Sequence, residues 1–171
     1  MDYKKAANYW MKKDEKSIRM NQDELLTHIE KFIMEHNTCS LATGCGDFIR
    51  CTPIEYNYKD GYFWLFSEGG MKFYSLEFNK NVCLAIFDSY TGFGQIGGMQ
   101  ITGRVELVKP WSEEYMNLLE FKKMNVERLK QLTVTLYLMK VIPTRIEFLN
   151  SEFTQMGYTS RQTYIPAETE E

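Results

Sequence analysis

Residues 48–79 read FIRCTPIEYNYKDGYFWLFSEGGMKFYSLEFN, and the fold turns on this stretch. Phe48–Tyr58 reads as one long strand, and Lys59-Asp60-Gly61 turns it back into Tyr62–Ser67, a hairpin with Asp-Gly at its tip. Gly69-Gly70 breaks the second strand. Met71–Asn79 then has the spacing of a short helix, with Phe73, Leu76 and Phe78 as its inward candidates. Two cations stand out by context. Arg50 lies inside a strand, beside Cys51, Thr52 and Pro53. Lys72 opens a helix, where the macrodipole favours acids. A phosphate held by free backbone N–H groups, Lys72 and Arg50 accounts for both. Surface cations paired with Glu68 or Glu55 account for them equally well.

Upstream, Tyr3, Ala6, Ala7, Tyr9 and Trp10 give the charged N-terminus a sticky edge and predict a short amphipathic helix, docked on its own chain or on a partner. Asn21 with Glu24 forms a capping-box pattern, and Leu25, Leu26, Ile29, Phe32 and Ile33 repeat at helical spacing up to His36-Asn37. Thr38–Thr43 reads as a strand, and Gly44–Asp47 as a turn cluster.

Downstream, Val82–Phe87 is apolar on both faces, as in a buried strand. Ser89–Gly98 holds four glycines and reads as a flexible connection. Met99–Val108 alternates, with Ile101, Val105 and Leu107 on one face and Gln100, Thr102, Arg104 and Glu106 on the other. Ser112 caps a helix through Leu119, and Asn125–Leu132 reads as a weaker one. Val134–Val141 and Thr144–Leu149 read as two strands separated by Pro143. From Asn150 the chain is polar and aromatic, with an acidic end. No regular βαβ alternation exists, so a doubly wound parallel sheet is excluded. Gly92-Phe93-Gly94-Gln95-Ile96-Gly97 fits G-x-G-x-x-G literally, but a strand follows where a dinucleotide site needs a helix N-terminus.

The net charge of −3 excludes a general polyanion binder while leaving room for one bound phosphate. Cys39, Cys45, Cys51 and Cys83 form no C-x-x-C pair, and His28 and His36 are the only histidines, so no zinc site is expected. Without an apolar leader or a long apolar run, the expectation is a cytoplasmic protein with reduced thiols and no membrane partner.

Leu41-Ala42-Thr43, Arg50-Cys51-Thr52-Pro53-Ile54, Tyr62–Ser67, Met71-Lys72, Asn79–Leu84 and Ile101–Glu106, in this order and spacing, resemble the pyridoxamine 5'-phosphate oxidase-like family. The resemblance covers residues 25–150. It implies a mainly β fold with flanking helices: a six-stranded antiparallel Greek-key split β-barrel, dimeric, with FMN at the subunit interface. Residues 1–20 would be a helix and linker, 21–150 the barrel and 151–171 a tail. The family pattern runs the backbone of Arg50, Cys51, Thr52 and Pro53 beside the flavin, with Arg50 meeting the phosphate. It has Phe66 and Ser67 touch the flavin, Met71-Lys72 meet the phosphate with Lys72 as its grip, and Gln100 bond the ring. Gln100 is displaced by two residues from the oxidase position, which holds Gly98.

The chain also departs from the family. Gly70-Met71 stand where a Ser/Thr-Arg pair is common. The oxidase's C-terminal Arg-x-His and its tryptophan are absent; only Ser160-Arg161-Gln162 stands there, and the last tryptophan is Trp111. The resemblance therefore points away from vitamin B6 oxidation and toward the small, mostly bacterial flavoproteins that include flavin reductase-like and nitroimidazole-resistance-like members. The expected function is that of a homodimeric FMN-dependent oxidoreductase acting on a small molecule, with Tyr90, Phe93 and the Gly92–Gly98 loop as a lid. No side chain is marked as an acid–base catalyst. A non-catalytic flavin-, deazaflavin- or haem-binding dimer is the alternative. A nucleic-acid-binding barrel is disfavoured by the acidity and by the lack of a basic, aromatic-studded strand face.

Overall fold

Strands that are apolar on alternate residues bury that face only when the sheet curls over something. In the computed structural model, which describes residues 2–167, that something is a helix. Helices α1 (Tyr3–Asp14) and α2 (Gln22–Glu35) precede β1 (Thr38–Cys45), β2 (Phe48–Glu55), β3 (Asn57–Lys59) and β4 (Tyr62–Ser67). After α3 (Lys72–Phe78) come β5 (Asn81–Phe87), β6 (Gly97–Val108), α4 (Glu113–Phe121) and α5 (Val126–Lys130). The chain continues through β7 (Tyr137–Asn150), α6 (Glu152–Gln155) and β8 (Arg161–Tyr164).

All strands pair antiparallel in one sheet, ordered β2-β1-β5-β6-β7-β4-β3. The first half of β7 also pairs with β4 and its second half with β8. The curled sheet closes on α2, whose Leu25, Ile29, Phe32 and Ile33 are buried among Leu41, Leu84, Ile101 and Val141. A second, smaller core lies on the other side of β4, β6 and β7. There Tyr115, Leu118 and Leu119 of α4 cover Trp64, Val108 and Leu138.

This is the expected split barrel, with eight strands rather than six. Three local features set the strand count: one expected strand splits, two fuse and one is added. The long strand expected over 48–58 breaks at Tyr56, whose ring is buried. Its N–H donates to Asn37 O at 2.9 Å, the last rung beside β1, and its hydroxyl to Ile33 O at 2.6 Å; from Asn57 the chain pairs with β4 instead. Pro143 does not end a strand. The register jumps from Thr102↔Arg145 to Gly103↔Pro143, so Thr144 is an extra residue in a β-bulge, where a proline costs no ladder bond. Beyond Asn150, β8 is held by Gln162, whose amide accepts from Met20 N at 3.0 Å and donates to Ile18 O at 3.1 Å.

Smaller expectations resolve in the same way. The tip Asp60-Gly61 has φ of 55° and 80°, the left-handed pair that a two-residue hairpin turn needs. Asn21 caps α2 by accepting from Asp23 N at 2.9 Å, but Glu24 instead accepts from the Tyr158 hydroxyl, so the box is not reciprocal. Leu107 is 48% exposed at the rim of its face, while Val108 passes under α4. Phe78 points outward. The N-terminal helix forms as expected; the Trp10 side chain and the acidic run 168–171 lie outside the described residues. Among the described residues, no helix is long and apolar enough to cross a membrane.

The bulge dictates one residue. A Cβ on Gly103 would lie 2.4 Å from Ile142 O, a clash with backbone rather than with a flexible side chain. Gly103→Ala is expected to cost about 1–3 kcal/mol in denaturant unfolding. Gly94→Ala, whose Cβ meets nothing within 4 Å, should stay within about 0.5 kcal/mol of the parent. Equal effects would contradict the bulge reading.

Candidate cofactor-binding site

Lys72 is buried to 7% exposure at the start of α3. Its ammonium donates to Gly69 O at 2.5 Å and lies 5.4 Å from the Phe73 ring. Among the described residues it has no carboxylate partner, and burial lowers its pKa from the usual lysine value. The preceding loop bends through Gly69 and Gly70 at φ of 134° and 106°, conformations that only glycine adopts without strain. Ser67 fixes this bend: its hydroxyl donates to Gly69 O at 3.0 Å and accepts from Gly69 N at 3.2 Å. A side chain at Gly70 would lie over the Lys72 ammonium, with the Cβ 3.5 Å from Nζ. The missing Ser/Thr-Arg pair is thus replaced by bare backbone around a buried cation.

Strand register decides which other residues join Lys72. Arg50 pairs with the buried Thr43, and Phe48, on the same side of β2, meets the Tyr74 ring of α3 at 5.6 Å. Arg50 and Thr52 therefore lie on the face that α3 packs against. Glu55, one of the two acids that offered Arg50 a surface pair, is taken by Lys122 at 3.0 Å, and Arg50 is in no ion pair among the described residues. Two hydroxyls missed in the sequence belong to the facing surfaces of β1 and α3. Thr43 Oγ1 and Ser75 Oγ are buried without a hydrogen-bond partner among the described residues. Their signal was only a small polar residue on an otherwise apolar face. Met71 caps α3 and is 53% exposed.

The remaining predicted residues go elsewhere. Phe66 turns to the other face of β4, where it meets Tyr115 edge-on at 5.9 Å, so the Phe66-Ser67 pair is split between two sides of the sheet. Cys51 and Pro53 alternate away from Arg50 onto the outer face of β2, and both are exposed. Gln100 is on this outer face too, paired with Ala85 and Glu147. It lines a cavity of about 330 Å³ with Phe87, Tyr90, Glu147, Leu149 and Arg161. Residues 88–90 and 95–96 form one wall of this cavity, which places Tyr90 as expected, whereas Phe93 points out at 87% exposure. One chain thus carries a buried cation at the start of α3 and a partly apolar cavity on the outer face.

The outer face is otherwise bare away from the end that α4 covers. Ile49 and Phe87 are 77% and 62% exposed there, beside half-buried Ala42 and Ala85. All four cysteines are free. Cys39 faces the core, where burial pushes its thiol up to about 12; burial likewise raises Cys83. His36 is the imidazole nearest the outer cavity. Its Nδ1 meets Phe32 O at 2.8 Å and its Nε2 meets Asp88 Oδ1 at 3.0 Å, so both ring nitrogens are engaged.

No known family profile and no curated protein matches this chain. Solved structures do. A FAD-binding protein from Mesorhizobium loti is 14% identical with a TM-score of 0.57, covering 71% of this chain and 89% of its own. A provisionally assigned pyridoxamine 5'-phosphate oxidase from Listeria innocua is 18% identical with a TM-score of 0.55, covering 74% and 98%. HutZ, the heme storage protein of Vibrio cholerae, is 16% identical with a TM-score of 0.56, covering 72% and 91%. The chain has the split-barrel fold of the pyridoxamine 5'-phosphate oxidase-like proteins.

Proposed function

We propose that this chain is a homodimeric flavoprotein that binds FMN and transfers electrons to or from a small molecule. The observation that carries the reading is Lys72, a buried ammonium with no counter-charge beside two left-handed glycines. A phosphate supplies the missing charge and accepts from both ammonium and backbone. Arg50 would neutralise the phosphate's second charge from β2. The buried hydroxyls of Thr43 and Ser75, without a partner among the described residues, would serve the remaining oxygens. The groups at α3 and on the outer face lie on opposite sides of one sheet, so a cofactor that needs both would draw them from two subunits. The exposed part of the outer face suits such a dimer.

When bound, FMN supplies the redox chemistry. The chain's part is to anchor the phosphate at Lys72 and Arg50, to offer Gln100 as a hydrogen-bonding side chain, and to keep water from the cavity with residues 88–96. The flavin-binding and oxidase descriptions of the Mesorhizobium and Listeria neighbours support this reading. The HutZ description supports haem instead. Against haem stands the histidine inventory: His28 packs on Phe153 at 5.6 Å from α2, and both nitrogens of His36 are engaged. No imidazole is left to ligate iron at the outer cavity.

Lys72→Met separates phosphate recognition from ring recognition. FMN affinity, measured by fluorescence titration, should fall about tenfold or more, the loss of one charge-assisted bond. Riboflavin, which has no phosphate, should bind parent and variant alike. Equal loss for both ligands would contradict the assignment.

The same variant has a pH signature without cofactor. In the folded chain the Lys72 pKa is lowered, so the unfolded chain holds this proton more tightly. Stability is therefore gained as pH rises from the folded pKa toward 10.5, the unfolded value. Cofactor-free Lys72→Met should be more stable than the parent near neutrality by about 1–3 kcal/mol. In denaturant unfolding the gap should narrow toward pH 10; a gap constant with pH would show that Lys72 carries no burial penalty.

A further inference from the structure

Helix α1 stands away from the barrel that it precedes. Every described side chain of α1 is exposed except that of Asp14, which is half-buried. Tyr3, Ala7 and Met11, spaced four apart, form one stripe with Ala6 at its edge, and Tyr3 and Met11 are 80% and 66% exposed. A twelve-residue helix with only local support is marginal in water, so a covering surface is needed to hold it.

The direction in which α1 leaves the body is fixed. Asp14 accepts from Arg19 at 2.7 Å and from the Ser17 hydroxyl at 3.4 Å. Ile18 N donates to Thr159 Oγ1, and Thr159 N donates back to Ile18 O, which stitches this segment beside β8. Asp14 and Arg19 share a shallow pocket with Arg145 and Thr163. Register places Arg145 and Thr163 on the outer sheet face, in line with Thr102 and Glu147. The root of α1 therefore sits on the rim of that bare face.

We propose that α1 lies across the body of a second copy of this chain, so that two subunits exchange their N-terminal helices. The inference rests on the dimeric reading above and goes beyond it. Two observations select a second copy as the occupant. The exposed part of the sheet face and the exposed helix stripe share one rim, so a single neighbour covers both. The charges are complementary: α1 carries Lys4, Lys5, Lys12 and Lys13 against Asp14, in a chain whose total is −3. The helix is thus cationic and the rest of each copy is anionic.

The test uses the full chain with Ala7→Glu and Met11→Glu together. Both positions are exposed, and glutamate keeps helix propensity, so the barrel's melting temperature should hold. Sedimentation equilibrium should show the dimer dissociation constant rising at least tenfold. Amide hydrogen exchange over residues 3–14 should be slow in the parent dimer and fast in the variant. A constant that moves less than twofold, with fast exchange in the parent as well, would overturn the exchange of helices while leaving the dimer standing. Parent protein co-sedimenting with phosphatidylserine vesicles, its dimer constant unaffected by the variant, would assign α1 to a membrane surface and equally overturn it. A parent that is monomeric at micromolar concentration removes the dimer itself. Its FMN titration then says separately whether cofactor binding survives.

Discussion

An ammonium taken out of water without a counter-charge is held only where the surrounding structure over-determines it. Lys72 is so held. Its backbone is committed to α3, its side chain is buried, and its nitrogen is fastened to Gly69 O. The bend that brings this carbonyl to it needs two left-handed glycines and the Ser67 hydroxyl. In the proposed reading, a phosphate offsets the cost of this cluster with one group.

The rest of the fold sets the stage on which that charge acts. The bulge at Thr144 lets β7 run through Pro143 and serve three neighbours, so that one sheet both wraps α2 and supports α4. Strand parity then divides the candidate residues. Arg50 and Thr52 go to the side of α3, while Cys51, Pro53 and Gln100 go to the bare outer side. The exposed part of the sheet face and α1 are the two surfaces that the proposed second subunit would cover.

Much of this was legible in the sequence because local rules agreed with each other. The Asp60-Gly61 tip, the Asn21 and Ser112 caps, the periodicity of α2 and the break at Gly69-Gly70 each rest on neighbours a few residues away. The oddity of a lysine at a helix start singled out Lys72, which the fold buries at the start of α3. What was not legible depended on distant partners. Tyr56 ends its strand where its hydroxyl meets Ile33 O of α2 and the next residue turns to β4; Pro143 stays in its strand because Gly103, forty residues earlier, makes room. The strand β8 has no apolar alternation of its own and exists because Gln162 finds Met20 and Ile18. Phe66 and Ser67 read as a unit along the chain, yet strand parity sends them to opposite faces, which adjacency alone does not reveal.

The most direct test of the account is the visible absorption spectrum of the freshly purified protein, followed by chromatography of what heat releases. The account predicts a flavin spectrum and FMN as the released molecule. A colourless protein that also takes up no added FMN, or one with a sharp Soret band and released haem, would contradict it.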